Sequence, residues 1–164
     1  MNPRFSIVTP VYDTPADVLR TMVESVVRQS FGDWELCLVD DCSPAPHVWP
    51  LLGELAAGDS RIRIARRAEN GGISRASNDA VAMARGEFVV LVDHDDWLVR
   101  EALSVVNHAL TVNEPVDYAY SDEAKLLVDG TVGFPFYKPD WSPERFRCQM
   151  YTCHLSAIRR TLFD

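Results

Sequence analysis

Short apolar runs alternate along this chain with stretches whose apolar residues recur at helical period. Phe5-Ser6-Ile7-Val8, Trp34 to Val39, Arg61-Ile62-Arg63-Ile64-Ala65, Phe88-Val89-Val90-Leu91-Val92 and Asp117-Tyr118-Ala119-Tyr120-Ser121 predict five strands. After the first of them, Val18, Leu19, Met22, Val23, Val26 and Val27 repeat as one helical face, with Thr14 placed as the N-cap, Pro15 at the first helical position and Gly32 as the breaker. Further helices are predicted from about Val48 to Ala57, from Ile73 to Ala84 behind the Asn70-Gly71-Gly72 turn and before Gly86, and through Ala102, Leu103, Val106, Ala109 and Leu110. Strands separated by helices predict an α/β chain, a Rossmann-like nucleotide-binding architecture with a mostly parallel central sheet flanked by helices. The pattern changes from Asp122 onward. Asp129-Gly130 reads as a hairpin turn, and Phe134 to Pro143 is too proline-rich for a regular element, so it is expected to cross the open edge of the sheet.

The run Phe88 to Val92 is apolar at every position, which places it inside a sheet covered on both faces. Directly behind it stand Asp93-His94-Asp95-Asp96, three carboxylates in four residues. They emerge at the carboxyl edge of the sheet, where open α/β sheets put their ligands. Clustered like charges need compensation, and a hard divalent cation, Mg2+ or Mn2+, would supply it while also neutralising a phosphorylated ligand. The plainer alternative is a polar turn in which Asp95 or Asp96 caps the next helix. Two other strand ends carry polar groups to the same edge: Thr9 to Asp13 after the first strand and Asp40-Asp41 after the second.

Composition narrows the partners. With 164 residues, 47% hydrophobic and 24% charged, the chain predicts one globular domain with a sizeable core. A net charge of -8 argues against nucleic acid as a partner and against a broad anionic membrane surface. No stretch reaches the roughly 18 apolar residues of a membrane span and no leader pattern opens the chain, so a cytoplasmic domain is expected. Cys37, Cys42, Cys148 and Cys153 form two C-x4-C pairs, but Cys37 lies inside an apolar strand and the flanks lack zinc-knuckle turns, which favours reduced thiols over a zinc site.

Taken in order, Ser6-Ile7-Val8-Thr9-Pro10-Val11-Tyr12, Leu38-Val39-Asp40-Asp41-Cys42-Ser43, Asn70-Gly71-Gly72 through Arg75-Ala76-Ser77-Asn78, and Leu91-Val92-Asp93-His94-Asp95-Asp96 resemble the family 2 glycosyltransferases of the GT-A fold. The resemblance covers roughly the first two thirds of the chain. It implies a nucleoside-diphosphate sugar donor, UDP- or dTDP-linked, and a saccharide or lipid-linked acceptor. Pro10 and Tyr12 would border the base, with the Tyr12 ring stacked on it, Asp40 would hydrogen-bond the base or ribose, and Arg75 would face the nucleotide or its diphosphate. Asp93 would meet the ribose and Asp95 the metal bridging both phosphates, with Asp96 in a supporting place and His94 turned away. Taken without the resemblance, Tyr12 is a core-edge aromatic, Arg75 a solvated helix arginine and Asp41 a turn cap. Tyr120-Ser121-Asp122-Glu123 and Phe136 to Pro143 resemble a subgroup associated with bacterial surface polysaccharides, in which Asp122 could contact the donor sugar and Lys138 either reach a phosphate or anchor a loop from an exposed position.

Inversion at the anomeric carbon, which the resemblance implies, needs one base. In the family it sits well downstream of the acidic motif, past Leu162-Phe163-Asp164, as does a late metal-binding histidine, leaving Asp122 as a weak candidate here. The expectation is therefore a donor-binding N-terminal part of a longer transferase, with any peripheral membrane association carried by segments outside this chain. A catalytically incomplete nucleotide-sugar binding module is the alternative. A receiver-type signalling domain fits less well, because Tyr120-Ser121 stands where a receiver needs lysine. A dinucleotide oxidoreductase or a nucleotidyltransferase would need a glycine-rich first loop that Thr9 to Asp13 does not provide.

Overall fold

The computed structural model describes residues 2–113, 115–127 and 129–163, so Asp164, on which the sequence reading turned, lies outside the described residues. The elements are β1 (Phe5–Val11), α1 (Ala16–Val27), β2 (Trp34–Asp40), α2 (Val48–Gly58), β3 (Ile62–Arg66), α3 (Ile73–Met83), β4 (Phe88–Leu91), α4 (Ala102–Val112), β5 (Tyr118–Tyr120), β6 (Glu123–Leu126), β7 (Val132–Phe136), α5 (Pro143–Cys148) and β8 (Ser156–Arg159). Six strands make one sheet in the order β3-β2-β1-β4-β8-β5, and β6 and β7 form a separate antiparallel ribbon.

Strict alternation builds two cores. Phe5, Ile7 and Val11 of β1, Trp34, Leu36 and Leu38 of β2, and Phe88 and Val90 of β4 bury themselves with Leu19, Met22, Leu52 and Leu103 of α1, α2 and α4. The intervening residues Val8, Cys37, Val39 and Val89 pack under Ala76 and Ala80 of α3. Both faces of β1, β2 and β4 are thus covered, as their unbroken hydrophobicity requires. Glu35 is the exception on the α3 side. Burial raises its pKa, but the Ser6 hydroxyl at 2.7 Å and the Arg85 guanidinium at 2.7 Å outweigh it and hold the carboxyl below its ordinary range. Gly86 follows from this close approach, since a Cβ there would lie 2.7 Å from the Ser6 backbone nitrogen.

Three sequence expectations are corrected, on a central sheet that is mostly parallel as expected. One strand escapes the pattern: β8 inserts antiparallel between β4 and β5. Its four residues are too few and too weakly alternating to register as a strand, yet β4 and β5 satisfy its backbone from both sides. Thr14 is not the N-cap: Pro15 takes that place, its carbonyl accepting from Leu19 N at 3.0 Å, while the Thr14 hydroxyl is buried without a partner among the described residues. The first helix ends at Val27, ahead of Gly32. Phe134-Pro135-Phe136 belongs to β7, where a two-stranded ribbon leaves a strand edge free and tolerates a proline. Only then does the chain become irregular, and Trp141 packs edge-on to Tyr118 of β5.

Candidate functional site

The parallel strands set the site. β1 is hydrogen-bonded on one side to β2 as far as Val11 and Asp40, but on the other side to β4 only as far as Val8 and Leu91. Pro10 has no N–H to continue the ladder, and beyond Leu91 the two chains part. Strand order reverses at β1, so this is the switch point at which α/β sheets bind ligands. Pro10 is buried at its base, and Tyr12 follows, 46% exposed.

On the β2 side the two aspartates do different work. Asp40 is 0% exposed, its Oδ1 accepting from Ser43 N at 2.9 Å and its Oδ2 lying 3.0 Å from Arg66 Nε outside hydrogen-bond geometry. The Ser43 hydroxyl in turn accepts from Asp13 N at 2.9 Å, tying the loop after β2 to the loop after β1. Asp41 accepts from Gly71 N at 2.9 Å and Gly72 N at 2.7 Å, so it fixes the glycine turn that opens α3. Gly72 has φ +82°, a conformation that favours glycine. Arg75 is exposed in the first turn of α3, its Cδ packed close over Gly71.

On the β4 side, the loop over residues 92–100 is held from α1 and the residues just after it. Ser25 Oγ accepts from Leu98 N at 3.2 Å, and Gln29 spans Val99 O at 2.8 Å and Leu103 N at 3.0 Å. Within the loop, Asp93 N donates to Asp96 Oδ2 at 3.2 Å. His154, just before β8, completes the group: Nε2 lies 3.3 Å from Asp93 Oδ2 and Nδ1 lies 3.1 Å from Asp96 Oδ2. The donor atoms of Asp93, Asp96 and His154 all fall within 4.8 Å of one another, close enough for one cation. Two carboxylates and an imidazole suit a divalent ion such as Mn2+, and His154 Nδ1 is buried without an aligned hydrogen bond among the described residues, as an uncommitted ligand nitrogen would be. Asp95 stands outside that triad, exposed, on the wall of a cavity of about 840 Å³ that it shares with Asp96, Asp122 and His154. The ribbon strands β6 and β7 form the facing wall through Leu126, Val132, Phe134 and Phe136.

The ion pair shifts both partners. Asp93 raises the His154 pKa above its ordinary 6.5 despite burial, and His154 holds Asp93 below the usual carboxylate range. Burial pushes Asp96 up, outweighing the attraction of His154. His154 therefore contributes stability that is complete below pH 6.5 and lost as pH rises through its folded midpoint. Asp93 contributes stability present above its unfolded value and lost as pH falls through its depressed one. An NMR titration of the metal-free chain should place the His154 midpoint above 6.5, and Asp93→Asn should lower it. A wild-type midpoint at the ordinary value would remove the pair.

Sequence reasoning missed His154, Ser25 and Gln29, none of which sits in a motif. It also misplaced Lys138, expected at an exposed position. Its side chain is 1% exposed, with Nζ donating to Thr152 O at 2.7 Å and to His154 O, and 2.9 Å from Glu123 Oε2. No phosphate can reach it there. Asp122 is exposed and its Oδ1 accepts from Lys138 N at 2.7 Å. The four cysteines are free, and among the described residues none belongs to a metal-competent group.

A mixed α/β sheet with an acidic group at its switch point agrees with the GT-A glycosyltransferase fold, the class to which the aligned solved structures belong. The model of glycosyl transferase family 2 matches residues 6–164, and the chain belongs to that family. It is 40% identical over 158 residues to the O-antigen biosynthesis protein RfbC of Myxococcus xanthus, covering 96% of this chain and 12% of that protein. It is 28% identical over 153 residues to the chondroitin synthase of Pasteurella multocida, covering 93% of this chain and 16% of that one. The chain thus spans less than a fifth of the length of these relatives. Among solved structures, S. aureus TarS 1-349 in complex with UDP-GlcNAc aligns with TM-score 0.60 and 27% identity over 66% of this chain and 31% of that one. TarS 1-349 on its own aligns over 97% of this chain and 48% of that one with TM-score 0.68; at 18% identity this speaks for the fold alone.

Proposed function

We propose that this domain is the donor-binding part of a longer inverting transferase. It would move a sugar from a nucleoside diphosphate, UDP- or dTDP-linked, to a saccharide or lipid-linked acceptor in cell-surface polysaccharide synthesis. One observation carries the reading: carboxylates after β4 meet His154 beside a large cavity between the loop after β4, the β6–β7 ribbon and the segment before β8. Family membership, polysaccharide-synthesis relatives and the UDP-GlcNAc bound by TarS support it.

The residues divide by place. Tyr12, exposed after β1, offers a face on which a base stacks. Asp40 would serve the base or ribose from beside Arg66, and Arg75, exposed in the first turn of α3 beside the glycine turn, would bring a cation toward the diphosphate. Asp93, Asp96 and His154 would hold the ion, being the group whose donor atoms lie within reach of one cation, with Asp93 also bordering the ribose; Asp95, exposed beside them on the cavity wall, would join as the ligand on the diphosphate side. A divalent ion, Mg2+ or Mn2+, would supply Lewis-acid stabilisation of the departing diphosphate. Asp122, on the cavity wall, is this chain's own candidate for taking the acceptor proton. Its oxygen is already shared with Lys138 N, which favours the second reading, a module that binds donor without transferring it. Among the described residues no helix is long and apolar enough to cross a membrane. We place the reaction in the cytoplasm, at the inner face of the membrane when the acceptor is lipid-linked.

Calorimetry with UDP-, dTDP- and GDP-sugars, each with and without Mn2+, tests the proposal. A UDP- or dTDP-sugar should bind in a metal-dependent way, and at about 100 times its Kd should stabilise the fold by about 2.7 kcal/mol. Identical affinity with and without metal would remove the metal's role, and no binding of any donor would remove the function.

A further inference from the structure

The segment Gln149–Leu155, which carries His154, has no regular secondary structure of its own. Its backbone must be held by side chains, and a single buried cation does much of this. Lys138 Nζ donates to the carbonyls of Thr152 (2.7 Å) and His154, with Glu123 Oε2 2.9 Å away as counter-charge. A lysine side chain 1% exposed is tolerated only where its charge is fully compensated, and here three oxygens do so. The other side of His154 is held by Ser121, whose N donates to Leu155 O at 3.0 Å and whose Oγ accepts from Leu155 N at 3.1 Å. Asp122 fixes the lysine's own backbone through Lys138 N at 2.7 Å.

We propose that Lys138 is a positioning residue for the cation site, setting the place of the His154 ring against Asp93 and Asp96 by grasping the backbone on which that ring is carried. The proposal rests on the reading that this acidic group binds a divalent ion. Lys138 touches neither nucleotide nor metal; it acts through two carbonyls. Residues that orient a metal ligand from behind matter to affinity almost as much as the ligand, and their loss typically costs about 10–100-fold. The ribbon is coupled to the site by the same contact, because Glu123 begins β6 and Lys138 follows β7.

Mn2+ binding to the 164-residue chain, read by electron paramagnetic resonance, and the imidazole 15N resonances of His154 in the metal-free chain test this together. Lys138→Met keeps the buried stem and removes the charge. It should weaken Mn2+ binding by about 10–100-fold and shift the His154 resonances toward those of a free imidazole. Glu123→Gln keeps the carbonyl bonds but removes the counter-charge, and should do the same at the low end of that range; it decides the matter if Lys138→Met fails to fold. Wild-type Mn2+ affinity and unshifted His154 resonances in whichever variants fold would overturn the proposal. A wild-type chain that binds no Mn2+ would instead sink the metal reading, while the metal-free His154 spectra would still judge Lys138.

Discussion

Asp95→Ala is expected to abolish the Mn2+ dependence of nucleotide-sugar binding, whereas Asp96→Ala weakens Mn2+ binding by about 10-fold and leaves the dependence in place. The difference follows from where the two carboxylates stand. Asp95 is exposed on the cavity wall with no partner among the described residues to give up, which leaves its charge for a cation. Asp96 is half-buried, is already an acceptor for Asp93 N, and lies against His154 Nδ1, so it acts largely by holding the other donors in place. Loss of a ligand that ties a doubly charged ion to a pyrophosphate should cost at least 100-fold in donor affinity, about 2.8 kcal/mol. Calorimetry of the two variants with and without Mn2+ separates them. Equal losses would make Asp96 as important a ligand as Asp95, and an Asp95→Ala chain that still needs Mn2+ would remove Asp95 from the role.

The sheet and its edge were legible because β1, β2 and β4 are buried on both faces, so their apolar runs and the acids that end them stand out in one dimension. Asp40, Asp41 and Asp93 to Asp96 could be brought to one edge from the strand pattern alone. His154 could not. It arrives through β8, whose four residues pair with β4 across more than 60 positions of chain, and no local periodicity encodes such a return. Lys138 was misjudged for a related reason, since isolated lysines are usually exposed and its burial depends on carbonyls 14 and 16 residues away. Thr14 failed as a cap although its residue type was right, because Pro15 occupied the half-in position itself. Asp40 and Asp41 illustrate the finer limit: adjacent and chemically identical, they are told apart only by which neighbours fold back onto them.

That distinction yields the largest expected effect on stability. Asp41→Ala should lower the unfolding free energy by about 3–5 kcal/mol, as expected when one partner of a buried ionic contact is removed. The carboxylate is almost fully buried, accepts two backbone N–H groups from Gly71 and Gly72, and lies 2.9 Å from Arg67 Nε in a contact that is Coulombic rather than an aligned hydrogen bond. Alanine leaves both amides without their acceptor and Arg67 with Asp79 as its remaining ion-pair partner. The turn that opens α3 then loses its tether to the end of β2, and Arg75 moves with it, so donor affinity should fall along with stability. Asp41→Asn, which keeps one acceptor oxygen, should fall between alanine and wild type. Urea unfolding of the three chains measures this through the transition midpoint at constant slope. A midpoint shift in Asp41→Ala worth less than about 1 kcal/mol would mean that the glycine turn holds its shape without the carboxylate, and that Asp41 is free to face the nucleotide instead.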